Sequence, residues 1–379
     1  MNMKLKDIEL NENEIIEDFI SLAKVSGVSY NEKHISSIIE SRMRKIGAEI
    51  KYDHITDIIG GNTDNMLATI SASNEEMATA EPILFCEHID TVEDTKNLTV
   101  LRDGDYLRSD GTTILGADNR GAITSILNAL EYIYRHNIPH RTVEILFTVA
   151  EELSLMGSSS LDYSMFQSKM GVVIDGGGKM GKIYKAAPEH YNMSFKFYGK
   201  GAHAGMSPEN GINAISMAAK AVCNMPLGRI DIETTANIGI INGGNATNVV
   251  PDYAFLKGEV RSREKEKTKT QMESMKQAAI NAADAYSGWV EIETQMMYPS
   301  FSVSTDHSLC QRVIEIFKDI GVEAEITQTG GGSDANYLNN NGIYTILLSA
   351  GYENAHSKEE KLYIPDLINF TKFIIMLIT

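Results

Sequence analysis

The feature that most constrains this chain is its set of short apolar runs with no polar alternation. They are residues 82–86 (PILFC), 142–149 (TVEILFTV) and 171–174 (GVVI). A strand that is apolar at almost every position has both faces covered. Helical stretches alternate with these runs. Residues 121–134 carry an amphipathic period, as do Ile15, Ile16, Phe19, Ile20 and Ala23. After the break at Gly27, the period resumes over 35–46 and stops at Gly47. Strand–helix alternation with buried strands predicts an α/β layer fold around a mixed, largely parallel sheet flanked by helices.

From about Pro188 the pattern changes. Residues 191–198 alternate like a half-exposed strand, 211–223 read as helix, and 235–241 and 253–261 as strands. A long charged helix over 264–285 and a last strand over 289–294 complete a β-α-β-β-α-β order, the ferredoxin-like arrangement. Tyr298-Pro299 marks the return to the first pattern, with a helix over 309–320, a strand over 345–348 and a final helix from Pro365. The expected organisation is an α/β domain of residues 1–187 and 299–379, interrupted by a smaller inserted α+β domain of residues 188–298.

Charge removes several function classes. Lys and Arg total 34 against 51 Asp and Glu, a net charge of −17. Nucleic acid and anionic membrane both need clustered positive charge, so neither is an expected partner. The three cysteines, Cys86, Cys223 and Cys310, are odd in number and far apart, which suits a reducing compartment. The first residues hold no apolar core of signal-peptide length. The longest apolar stretch, 367–378, is interrupted by Asn369, Thr371 and Lys372 and falls short of the ~20 residues of a bilayer span. A cytoplasmic soluble protein is expected.

The chemistry lies where the apolar runs end, because ligands of open α/β sheets gather beyond the carboxyl ends of the strands. PILFC leads into Glu87-His88-Ile89-Asp90, TVEILFTVA into Glu151-Glu152, and GVVI into Asp175. Asp118 stands just before the helix that begins near Gly121, and His356 follows the strand TILLS. Each segment alone has an ordinary reading. Adjacent acids suit a helix start through its dipole, and single aspartates are common caps. Together they put two imidazoles and five carboxylates at one sheet edge, where like charges repel unless a cation is present. Histidine and carboxylate donors suit zinc, with manganese or cobalt as alternatives. Cys86 shares strand parity with His88 and is read as a core thiol. His34, His54, His136, His140 and His307 are read as surface residues, and His190 receives no role. Residues 176–182 (GGGKMGK) mimic a phosphate loop, but Ile183 stands where a Ser or Thr is required and no helix follows.

The motifs HIDTV (88–92), LGADNRG (115–121), EELSLMGS (151–158), IDGGG (174–178), GKGAHAGMSPENGINAI (199–215), NATNVVPD (245–252), GEVRS (258–262), GGGSDAN (330–336) and AHS (355–357) resemble, in order, one family. It is the two-zinc aminopeptidase/carboxypeptidase/aminoacylase family, and within it the peptidase T-like (tripeptidase) branch. The resemblance implies that His88 and Asp175 hold one zinc, Glu152 and His356 the other, and that Asp118 bridges the two. It implies that Asp90 orients His88, and that Glu151 is the general base that deprotonates the attacking water and protonates the leaving amine. A cis peptide is implied at Asp118-Asn119. His203 is implied to stabilise the oxyanion, often from a partner subunit. Asn245, Asn248, Arg261, Gly331 and Gly332 are the candidate substrate contacts, with Arg261 offering a fork for a terminal carboxylate. The resemblance implies that residues 1–187 and 299–379 are the catalytic domain and 188–298 a lid. The implied function is hydrolysis of short peptides by an exopeptidase, with removal of an N-terminal residue favoured and a homodimer through the lid compatible. A carboxypeptidase or N-acyl amino acid deacylase is the alternative on the same scaffold, since the His88-to-Asp118 interval is nearer the glutamate carboxypeptidase-like spacing. A non-catalytic metal- or peptide-binding protein would have no need of Glu151.

Overall fold

A computed structural model describes residues 4–379 of the chain. Helix α1 (Glu12–Ala23) starts where the Asn11 side chain accepts from the Glu14 amide, and it buries Ile15, Ile16, Phe19, Leu22 and Ala23. Helix α2 (Lys33–Lys45) buries Ile35, Ile39 and Met43 at the same helical spacing. Strands β1 (Glu49–Tyr52), β2 (Met66–Ile70) and β3 (Ile83–His88) follow. The first apolar run therefore extends two residues further than its apolar letters, through Glu87 to His88. Glu87 can lie inside a buried strand because its carboxylate accepts from Asn119 Nδ2 at 2.6 Å and the Ile174 amide at 3.0 Å. Helix α3 (Ala117–His136) begins before Gly121, although Asp118 and Asn119 inside it have non-helical torsions. Strands β4 (Val143–Thr148), β5 (Met170–Gly176) and β6 (Lys182–Tyr184) come next. The segment resembling a phosphate loop thus joins two strands, with no helix to receive a phosphate.

The next stretch holds β7 (Glu189–Tyr198), α4 (Ala214–Asn224), β8 (Thr234–Gly243), β9 (Tyr253–Ser262), α5 (Lys265–Ala285) and β10 (Trp289–Tyr298). Helix α4 starts at Ala214 because Asn213 caps it, its side chain accepting from the Ser216 amide at 3.0 Å. The chain ends with α6 (Ser308–Ile320), β11 (Glu325–Thr327), α7 (Ala335–Asn340), β12 (Tyr344–Ser349) and α8 (Ile364–Ile378). His307, expected at the surface, is half-buried. It caps α6 by accepting from the Leu309 amide, and its ring stacks on Tyr344 with centroids 3.6 Å apart.

Two compact units result: Met1–Ala186 with Ser302–Thr329 and Ser333–Thr379, and Ala187–Phe301 with Gly330–Gly332. The first contains an eight-stranded sheet in the order β1-β2-β4-β3-β5-β12-β6-β11. Its central strands β4, β3, β5 and β12 are mutually parallel, so their carboxyl ends share one edge. Phe85, Ile145, Phe147, Val172, Ile174 and Ile346 are fully buried between these strands and the helices. Full burial of each such side chain stabilises by about 1.5–3 kcal/mol, and Phe85→Ala or Phe147→Ala would cost about 3–5 kcal/mol.

In the second unit, β8-β9-β7-β10 pair antiparallel, and a two-residue strand Gly228–Arg229 flanks β8. This is the ferredoxin-like order. Met193, Phe195, Phe197, Leu256 and Val260 pack against Met217, Ala218 and Ala221 of α4 and Met275, Ala279 and Ala282 of α5. The small alanines let the helices sit close to the sheet. The three glycines Gly330–Gly332 group with this unit, and Gly332 packs closely against it. A Cβ on Gly332 would lie 2.5 Å from the Tyr298 ring.

Candidate active site

The parallel strands deliver the acids and His88 to one place. His88 ends β3 and is 2% exposed. Its Nδ1 lies 3.3 Å from Asp90 Oδ1, and its Nε2 lies 2.9 Å from Asp118 Oδ1 and 3.4 Å from Asp175 Oδ1. His356 Nε2 lies 3.2 Å from Asp118 Oδ2 and 3.1 Å from Glu152 Oε2. One carboxylate, Asp118, thus turns one oxygen to each imidazole. Three overlapping groups, His88–Asp118–Asp175, Asp118–Glu152–His356 and His88–Glu151–Glu152, bring their ligand atoms within 4.8 Å of one another.

Local backbone geometry sets these positions. The Asp118-Asn119 peptide is cis. The amides of Gly116 and Asp118 donate to the buried Glu360 carboxylate at 2.7 and 2.9 Å, which holds the start of α3. Beyond β4, Ala150 takes a left-handed φ of 49°, turning Glu151 and Glu152 toward the histidines. Asp90 accepts from the Glu151 amide at 3.1 Å, the Glu152 amide at 3.2 Å and the Ser29 hydroxyl at 2.6 Å. Tyr352 donates to the Asp175 carbonyl at 2.7 Å.

Electrostatics agree with the chemistry of the donors. Burial by itself would depress the His88 imidazole, but bonds to Asp118, Asp175 and Asp90 hold it well above its ordinary range. Bonds to Asp118 and Glu152 raise His356 to about 10. Burial, opposed by His88 and reinforced by Asp118, raises Asp175 to about 7. Burial raises Glu151 well above a normal carboxyl, with Asp175, Glu152 and Asp334 adding to the effect. The site therefore calls for positive charge. Five carboxylates and two imidazoles, hard oxygen and borderline nitrogen donors with the Cys86 thiol on Asp334 instead, fit divalent cations of the zinc type.

The second unit holds the other residues marked from sequence. His203 is exposed, and its Nδ1 accepts from the amides of Gly205 at 3.2 Å and Met206 at 3.1 Å. With Nδ1 an acceptor, Nε2 is the ring nitrogen available to donate. Residues Ala202–His203 pair with Val249–Val250, and the Asn248 carbonyl accepts from the Ala204 amide at 2.9 Å, so this hairpin is pinned beside Asn248. Asn245 and Asn248 are exposed. Arg261 is paired within its own unit. Its Nε and Nη2 already donate to Glu259 at 3.1 and 3.0 Å, and Nη1 donates to Tyr298 at 3.1 Å. The fork expected to grip a substrate carboxylate is taken by an acid two residues away on the same strand. At Gly332 the Tyr298 ring occupies the space a side chain would need, and Gly331 belongs to the same segment. His190 is buried beside Glu259, with Nε2 3.1 Å from its carboxylate.

Sequence reading passed over Glu32, Glu87, Arg120, Asp334, Tyr352 and Glu360. One signal was available: an acid inside an apolar strand, Glu87, must have buried donors. The others come from loops, helix starts or, for Tyr352, a two-residue strand, whose burial only the fold creates.

Among the described residues, no helix is long and apolar enough to cross a membrane. Residues 190–287 match the M20 "Peptidase dimerisation domain" and residues 65–202 match "Peptidase family M28". The chain is 36% identical to the uncharacterized protein YqjE of Bacillus subtilis over 97% of this chain and 98% of that protein. It superposes on the crystal structure of aminopeptidase PepT from Bacillus cereus with a TM-score of 0.89 and 35% identity, covering 97% of this chain and 98% of that one. A tripeptidase from Staphylococcus aureus gives a TM-score of 0.92 at 32% identity, with the same coverages of 97% and 98%. The fold, the converging acids and histidines, and these full-length likenesses establish that the chain belongs to the peptidase T-like branch of the M20 metallopeptidases.

Proposed function

We propose that this metallopeptidase is a two-zinc aminopeptidase of short peptides, tripeptidase-like, with cobalt or manganese as alternative metals. The observation that carries the reading is Asp118, with one oxygen 2.9 Å from His88 and the other 3.2 Å from His356. A carboxylate so placed can serve two cations, one completed by His88 and Asp175, the other by Glu152 and His356. Bound there, the cations would polarise the scissile carbonyl and lower the pKa of the attacking water.

The remaining work belongs to the protein. Glu151 is 8% exposed and has a raised pKa, which suits a group that takes a proton from water and returns it to the leaving amine. Asp90 fixes the imidazole, its carbonyl 3.2 Å and its carboxylate 3.3 Å from His88 Nδ1. His203 donates Nε2–H to the developing oxyanion. In the family such a histidine often comes from a second subunit, and the match of residues 190–287 to a dimerisation domain supports a homodimer through this unit. Asn245 and Asn248 bind the peptide backbone. A cytoplasmic location accords with the unpaired cysteines and the acidic composition.

A carboxypeptidase or deacylase is kept as the second reading by one observation, the 30-residue separation of His88 and Asp118. A panel of di- and tripeptides, free and blocked at either end, assayed with zinc, cobalt and manganese, separates the two. Cleavage is expected to vanish when the amino end is blocked. Loss only on blocking the carboxyl end would select the second reading.

A further inference from the structure

Beneath the acids lies a buried charged layer that joins Asp90 to two residues, Glu32 and Arg120, to which the chemistry above gives no role. Arg120 is fully buried, Glu32 is 1% exposed, and Asp90 is fully buried. Glu32 Oε1 accepts from the Ala150 amide at 3.0 Å. Arg120 Nη1 donates to the Ile89 carbonyl at 2.6 Å. Those two backbone groups are not arbitrary. Ile89 separates His88 from Asp90 at the end of β3, and Ala150 is the left-handed residue that aims Glu151 and Glu152 at the end of β4.

Side chains hold every amide of that turn. The Val149 amide donates to Asn65 Oδ1 at 2.9 Å, Ala150 to Glu32, and Glu151 and Glu152 to Asp90. Two buried carboxylates therefore converge under one turn, an arrangement that is costly unless a cation accompanies them. Arg120 is that cation: burial pulls its pKa down to about 10, while Asp90 and Glu32 pull it upward. Among the described residues its Nε and Nη2 meet no acceptor and Glu32 Oε2 meets no donor, so what is left over on each is complementary in charge. Gly27 gives the guanidinium room, since a Cβ there would lie 2.9 Å from Nη2.

We propose that Glu32 and Arg120 are positioning residues that lock the ends of β3 and β4 in register, so that His88 and the Glu151-Glu152 pair present a preformed cation site. The proposal rests on the metal-site reading above. Glu32 acts through the Ala150 amide, Arg120 through the Ile89 carbonyl, and neither touches substrate.

The test is calorimetric titration of zinc and cobalt into the chelator-stripped full-length protein, with circular dichroism to confirm folding and cobalt absorption to report ligand geometry. E32A and R120M are expected to bind 10–100-fold more weakly, the range typical of groups that orient metal ligands. E32Q keeps an oxygen for the Ala150 amide and is expected within about threefold of wild type. R120K keeps the charge but has neither the reach nor the fork, and is expected about tenfold weaker. Peptide KM in metal-saturated variants is expected to stay within about threefold, whereas kcat falls. Met43→Ala, a fully buried core truncation in α2, is expected to lower thermal stability without altering metal affinity. Folded E32A and R120M with wild-type affinity and cobalt spectrum would overturn the proposal, as would E32Q binding as weakly as E32A. Should E32A and R120M not fold, R120K decides: a tenfold loss supports the clamp and wild-type affinity overturns it. Wild-type protein that takes up no cation would overturn the metal-site reading itself, and the clamp with it.

Discussion

In the eight-stranded unit, His88, Asp90, Asp118 and Glu151 are each at most 8% exposed and lie against one another. In the ferredoxin-like unit, His203, Asn245 and Asn248 stand at the surface, and ion pairs such as Lys196 with Glu293 are solvated. Burying several like charges costs several kcal/mol per ion unless opposite charge accompanies them. An exposed amide or imidazole costs nothing and so reveals little of its purpose. The first arrangement therefore declares a cation site through its own energetics. The second offers donors whose use depends on what they meet. The contrast teaches where substitution should abolish chemistry and where it should alter handling of substrate or stability.

The sharpest way to break that contrast is Glu151→Gln. Loss of a positioned base is expected to lower kcat by about 10²–10⁴-fold while metal content stays at the wild-type stoichiometry. Atomic absorption and single-turnover assays check both, and surviving turnover would remove the base assignment. His203→Ala comes next. Loss of one oxyanion donor is expected to reduce kcat about 10²–10³-fold, again with metal content unchanged. Mixing H203A with E151Q restores activity only if His203 serves the partner's site, so a mixture that stays dead would place it within one chain.

Smaller effects probe the second unit's packing. Gly332→Ala puts a Cβ 2.5 Å from the Tyr298 ring and is expected to cost about 1–3 kcal/mol in urea unfolding. Gly330→Ala meets no atom within 4 Å and is expected to stay within about 0.5 kcal/mol. Equal effects at the two glycines would restore a substrate-facing role for Gly332. The smallest effect concerns pH. The His190 bond, then Arg261, holds Glu259 near 2 against an ordinary 4.5. A lowered carboxyl pKa adds stability that is present above 4.5 and lost as pH falls toward 2. With Glu259 about a third exposed, roughly 1 kcal/mol remains after solvent screening. The gap between the urea midpoints of wild type and Glu259→Gln would narrow from pH 6 to pH 3; a gap that does not change would deny the pair any contribution.

Much of this was legible in the letters. Apolar runs that end in His88, Glu151-Glu152 and Asp175 predict where a parallel sheet delivers its chemistry, because strand direction places every carboxyl end on one edge. The six elements from β7 to β10 were equally readable, since their periods alternate between two and 3.6. Helix starts were less so. Residues 211–213 look helical until Asn213 proves to be the cap, and the Asp118 segment joins α3 despite two non-helical residues.

Arg261 and Gly332 show why side-chain roles resist sequence reading. Guanidinium suits any carboxylate, and only the β-strand pleat, which sets residues two apart on one face, gives Glu259 the prior claim. A glycine suits either close substrate approach or a crowded ring, and only the position of Tyr298 distinguishes them. Amino-acid order alone thus determined the α/β class, the inserted ferredoxin-like unit, the segments that carry the clustered acids and histidines, and the family they resemble. Those properties follow from periodicity and strand polarity, which are local. Tertiary structure alone decided that Asp118 divides its oxygens between two histidines, that Glu32 and Arg120 lie buried under the acids, and that Arg261 is already paired. Those facts depend on which distant side chains share a space closed to water, where an unpaired charge is costly and a paired one holds its neighbours still.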